Sequence, residues 1–99
     1  MTFRTKGGQA NHDCGLVAVA GDAIRKGWRS ILVDLPGYVR PPQINGYIPD
    51  IYARSGMYEL VIEIETRDTV NLSHSKTQAI AFQSWARMSP YRRFQILVV

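Results

Sequence analysis

The 99-residue chain predicts an α/β domain whose elements run helix, three strands, helix, strand around a mixed sheet. Two stretches, residues 11–26 and 73–88, repeat their apolar residues at helical spacing. Between them, residues 47–66 read as two strands, and Ile62-Glu63-Ile64-Glu65 alternates apolar and charged side chains at the period of a strand. Turn residues punctuate the boundaries.

Residues 1–10 hold Gly7-Gly8 and two cations, and read as a flexible arm ahead of one domain over residues 11–99. In the first helix Asn11 or Asp13 can cap the opening turn, and Leu16, Ala20, Ala23 and Ile24 form its apolar stripe. Arg25-Lys26 suit the negative end of the helix dipole, and Gly27 stops it. Residues 30–35 form a short apolar strand, followed by a loop marked by Pro36-Gly37, Pro41-Pro42 and Asn45-Gly46. Residues 47–54 and 58–66 are two strands joined by a turn at Ser55-Gly56. In the second helix His74, Gln78, Ala81 and Trp85 fall at i, i+4, i+7 and i+11, a stripe that Met88 extends. Residues 94–99 are the last strand.

One domain of this length can bury a single core. An apolar fraction of 45% argues against disorder. Twelve Lys and Arg against eight Asp and Glu give a net charge of +4, and nine of the twelve are arginine, which favours phosphate contacts. The excess is mild and equally fits proteins that never meet a polyanion. A lone cysteine, Cys14, excludes an internal disulfide and fits a reducing cytoplasm. No apolar run approaches the roughly 18 residues of a membrane span, and the start lacks the apolar core of a signal peptide.

The chemistry concentrates in residues 47–66. Pro49 confines Asp50 to a strand start, edge or bulge. In the following strand Glu63 and Glu65 share one face, and Ile62 and Ile64 the other. If the strands pair, Asp50, Glu63 and Glu65 can converge on one sheet face. Gathered like charges call for a cation, and oxygen-only donors suit Mg²⁺ or Mn²⁺. The bland alternative is a half-exposed antiparallel strand with solvated glutamates.

Pro49-Asp50, a spacer of about a dozen residues, and an apolar strand carrying Glu63-x-Glu65 resemble the PD-(D/E)XK nuclease superfamily. The resemblance spans roughly residues 27–99 and is to a small member of the Holliday-junction-resolvase-like type. It implies the restriction-endonuclease-like α-β-β-β-α-β core, a mixed sheet flanked by helices. It implies that Asp50 and Glu63, with a main-chain carbonyl near Ile64, bind one or two Mg²⁺ or Mn²⁺ ions. Glu65 stands where the superfamily usually has lysine, a departure shared with some restriction enzymes. A polar residue of the second helix often adjoins the site in that superfamily, and Gln78 is the matching position. Lys76 is a candidate substitute for the missing lysine, and His74 a candidate proton carrier. Each is also an ordinary solvated or capping residue. The first helix of resolvases often adds an acidic ligand, for which Asp13 and Asp22 are candidates, Asp13 the better.

The expected function is metal-dependent endonucleolytic hydrolysis of a phosphodiester, DNA being the expected substrate. Asp50, Glu63, Glu65 and Gln78 would be the catalytic group, with Arg54 and Arg67 on phosphates. Tyr38, Tyr47, Tyr52 and Tyr58 could stack on bases or simply populate strands. Trp28 and Trp85 read as core. A homodimer would present two sites to one duplex, and a partner could add an element beside the last strand. Two other readings compete: a binding or scaffold module of the same fold without activity, and an unrelated α/β interaction protein whose acidic strand is coincidental.

Overall fold

The computed structural model describes residues 6–99. Its elements are α1 (Lys6–Arg25), β1 (Ser30–Val33), β2 (Ile51–Ser55), β3 (Tyr58–Glu65), α2 (Ser73–Arg87) and β4 (Arg92–Val98), in the expected order. The four strands form one sheet in the order β1-β2-β3-β4. β1, β2 and β3 pair antiparallel, and β4 joins β3 parallel after the α2 crossover, as parallel neighbours require. The chain is thus α/β with a mixed sheet, and its 12.9 Å radius of gyration is that of one compact domain of this length.

β3 is the centre. Its Leu60, Ile62 and Ile64 face α1 and pack with Leu16, Ala20, Val33, Ile51 and Ala53. Its Val61 turns the other way, to a second cluster of Ile44, Tyr52, Phe82, Trp85 and Ala86 beneath α2. Glu63 and Glu65, in phase with Val61, are therefore covered, at 6% and 5% exposure. That rules out the solvated-glutamate alternative: the alternation belongs to a central strand buried on both faces.

α1 begins at Lys6, so the arm expected over residues 1–10 is helical from residue 6, and residues 1–5 lie outside the described residues. Its inward stripe is His12, Leu16, Ala20 and Ala23, spaced i, i+4, i+8 and i+11. Ile24, expected in that stripe, is 62% exposed. The helix ends as predicted. Gly27, at φ 91, lets its own N–H reach the Ile24 carbonyl and that of Trp28 reach Ala23, a Schellman closure.

β2 starts four residues later than expected. Asn45 and Gly46 both take positive φ, and Ile44 and Tyr47 exchange main-chain hydrogen bonds across them. Pro49 then withholds a donor, so ladder pairing with β3 begins at Ile51↔Ile62. On α2 the buried residues are Ser75, Phe82, Trp85 and Ala86, one position round from the expected stripe, and Met88 is exposed. Trp28 and Trp85 pack against the two cores, as expected. β4 starts at Arg92 rather than residue 94, because Arg92 pairs across the ladder with Glu59 at 3.3 Å and lies over the Trp85 ring.

Candidate functional site

Just before Ile51 the β2–β3 ladder stops and side chains take over its bonding. The Asp50 N–H donates to Glu63 Oε1 at 2.8 Å, and the Ile64 N–H donates to Asp50 Oδ2 at 2.8 Å. Each carboxylate supplies an acceptor where the neighbouring strand's carbonyl would have stood. The strands splay, and the fork is filled by two carboxylate groups that hold each other's main chain. Charge-assisted bonds of this kind are the stronger class. The Asp50 carbonyl meanwhile accepts from Asp34 N–H at 2.9 Å, tying the fork to the end of β1.

α1 closes the fork from one side. His12 is 5% exposed and directs Nε2 to Asp50 Oδ2 at 3.3 Å and Nδ1 to Asp13 Oδ1 at 3.1 Å. Gln9 Nε2 donates to the same Asp13 oxygen at 2.8 Å. Asp13, the expected acidic contribution of the first helix, thus reaches Asp50 through His12. Asp22 lies on the solvent side with Arg25 and Lys26. The Lys26 hydrogen bond holds its carboxyl below the usual range. His12 escaped sequence reasoning, although it sits four residues before Leu16 on the apolar stripe. A polar residue on a buried stripe was the available signal.

Glu65 has a different environment. Its Oε2 accepts from Thr69 Oγ1 at 2.6 Å and from Ser75 Oγ at 3.3 Å, both hydroxyls buried. The same Thr69 hydroxyl receives the Thr66 N–H at 3.0 Å, and Thr66 Oγ1 bonds Asp68, so the turn after β3 is knotted around this carboxylate. Among the described residues no group of three or more His, Cys, Asp or Glu side chains is gathered for a metal ion. The expected convergence of three carboxylates is therefore corrected to a forked pair, Asp50 and Glu63, with Glu65 drawn to the α2 hydroxyl.

The α2 residue that meets the carboxylates is Ser75, not Gln78. Gln78 is half-buried one turn further on, and Lys76 is exposed. His74 sets its ring edge-on to Tyr47, 6.2 Å between centroids. Ser75 lies seven residues before the buried Phe82, which is why it faces inward. Arg54 is corrected too: it pairs with Glu59 in the ladder and donates Nε to the Gly56 carbonyl, at the end of the hairpin away from Asp50. Arg67 is exposed on the Asp50 side, where it lines a cleft of about 510 Å³ with Gly8, Asn11, Thr66, Asp68 and Val99.

The oxygen donors available to a hard cation are Asp50 and Glu63. Mg²⁺ keeps much of its water shell and is commonly held by one or two carboxylates plus substrate phosphate. No family model, no curated protein and no solved structure matches this chain. No helix among the described residues is long and apolar enough to cross a membrane.

Proposed function

We propose that the protein hydrolyses nucleic-acid phosphodiesters, DNA first among them, with a divalent cation held by Asp50 and Glu63 in a restriction-endonuclease-like fold. The observation that carries the reading is the β2–β3 fork. Two carboxylates, one preceded by proline, sit at the splayed ends of adjacent strands with their positions locked by main-chain N–H groups. Two carboxylates brought together in this way repel each other unless a cation neutralises them.

Bound Mg²⁺ would supply Lewis-acid polarisation of the scissile phosphate and a lowered pKa for attacking water. The chain's residues do the positioning. His12 steadies Asp50, and Asp13 in turn orients the imidazole. Arg67, exposed at the same end of the sheet as Asp50, would contact a phosphate in its cleft. Glu65, in the place of the usual lysine, is the acceptor nearest in sequence for the proton of water, with Thr69 and Ser75 fixing its orientation.

A homodimer belongs to this reading, since duplex cleavage needs two sites. β4 offers the means. It is an edge strand whose Ile96, Leu97 and Val98 are 43%, 37% and 52% exposed. Antiparallel pairing with a second copy about Gln95-Ile96 would keep Arg92 and Arg93 of the two copies apart.

One observation favours an inactive, nucleic-acid-binding protein instead: Glu65 is engaged by two hydroxyls and replaces the usual lysine. Turnover decides between them. Glu63→Gln keeps an oxygen acceptor for the Asp50 N–H but removes the charge. Cleavage of linear and branched DNA in Mg²⁺ or Mn²⁺ is expected to fall by orders of magnitude while circular dichroism is unchanged. Undiminished cleavage by this variant would remove the hydrolytic assignment.

A further inference from the structure

The end of the sheet opposite the fork carries a second concave site. It lies where the loop after α1, the β2–β3 turn and the segment leading into β4 meet. Its cleft of about 380 Å³ is lined by Lys26, Trp28, Tyr58, Glu59, Tyr91 and Arg93, among others. Three aromatic rings and two cations surround one opening, and two of the rings, Tyr58 and Tyr91, are not used by the core. Tyr58 and Tyr91 are 57% and 43% exposed, and pack edge to face with centroids 5.5 Å apart and planes at 84°. Each ring restrains the other while much of both stays open to a ligand.

Charge at this end favours an anion. The cleft's one carboxylate, Glu59, is engaged by Arg92 at 3.3 Å and by the Tyr52 hydroxyl at 2.9 Å. Lys26 pairs with Asp22 at 2.8 Å, but both are solvent-exposed, and exposed pairs of this kind exchange readily for another anion. Arg93 is exposed at the rim, and Arg29 and Arg54 flank the same end beside Ser55.

We infer that this cleft binds the unpaired bases and phosphates of a single nucleic-acid strand. Aromatic faces stack on any base while cations follow the backbone, the pattern of sequence-tolerant single-strand binding. An acidic peptide would use the cations but leave the two exposed rings, Tyr58 and Tyr91, without a role. The inference rests on the nucleic-acid reading for its ligand class, but not on catalysis at Asp50 and Glu63.

The test is fluorescence anisotropy with a labelled oligothymidylate of roughly eight nucleotides, in the absence of divalent cations. Tyr58→Ala and Tyr91→Ala are each expected to weaken binding by roughly 5- to 150-fold. Tyr58→Phe and Tyr91→Phe, which keep the ring, should stay within about twofold. Arg93→Ala should lower the salt slope by about 0.7. Both tyrosines are exposed, so circular dichroism of the variants should match the parent. Full affinity in the Tyr58→Ala, Tyr91→Ala double variant overturns the inference. So does poly-L-glutamate competing as well as the oligonucleotide, which would assign the cleft to an acidic peptide. Failure of the hydrolytic reading is seen separately, in the Glu63→Gln cleavage assay.

Discussion

At Asp50 a carboxylate does the work of a strand's carbonyl, and the residues behind it decide how firmly it stays there. His12 is the chief of these. Its ring is enclosed between α1 and the fork, so His12→Ala removes a buried group, and its contact with Asp50, without refilling the space. A loss of about 2–4 kcal/mol is expected by analogy with other large-to-small core changes, and urea unfolding measures it. Tyr52 makes a prediction about pH. Burial first, then its hydrogen bond to Glu59, raises the phenol's pKa above the ordinary value of about 10. The folded state thus holds this proton more tightly than the unfolded one. The stability it contributes is whole below about pH 10 and is lost as pH rises through the raised folded value. Tyr52→Phe loses the hydrogen bond to Glu59 and should be less stable than the parent at neutral pH, with the gap narrowing in alkaline urea titrations as the parent's phenol ionises. A constant gap from pH 8 to 11 would contradict this.

Elements meet through small residues and through pairs distant in sequence. Gly15 is the clearest case: a Cβ there would stand 2.7 Å from Val99 Cγ1, so the glycine lets the chain's last residue lie against α1. Val99 is anchored there by its N–H to the Glu65 carbonyl at 2.8 Å, beside the fork. Gly15→Ala should gain about 1 kcal/mol of helix propensity and lose most of it to this clash. In a Val99→Gly background the gain should appear in full. Denaturant midpoints of the four proteins close the cycle, and equal effects of Gly15→Ala in both backgrounds would dismiss the contact. The early start of β4 has a similar origin, since Glu59 and Arg92 are far apart in the chain and only the parallel ladder makes them neighbours.

For the whole molecule, the sheet is covered on both faces by helices and open along β4. Apolar side chains on an unpaired edge invite another strand. Sedimentation or light scattering of the parent protein is expected to report a dimer. Leu97→Lys should shift it to monomer, because a charge on the edge opposes pairing. A parent protein that is monomeric with and without DNA would remove the dimer from the functional reading.

The sequence by itself determined the order and kind of all six elements, the stop at Gly27, and that Asp50 and Glu63 come near each other if the second and third strands pair. These follow from short-range rules: helical and strand periodicity, glycine's access to positive φ, and proline's missing donor. The tertiary structure decided what periodicity cannot reach. It buried both faces of β3, which turned two surface-looking glutamates into covered ones. It brought His12 and Asp13 from α1 to Asp50, and Ser75 rather than Gln78 to Glu65. It sent Arg54 and Arg67 to opposite ends of the sheet, because a hairpin's turn end and open end lie apart however near their residues stand in sequence. A stripe shows that a helix has an inner face, but the partner it meets there depends on how the helix docks against the sheet.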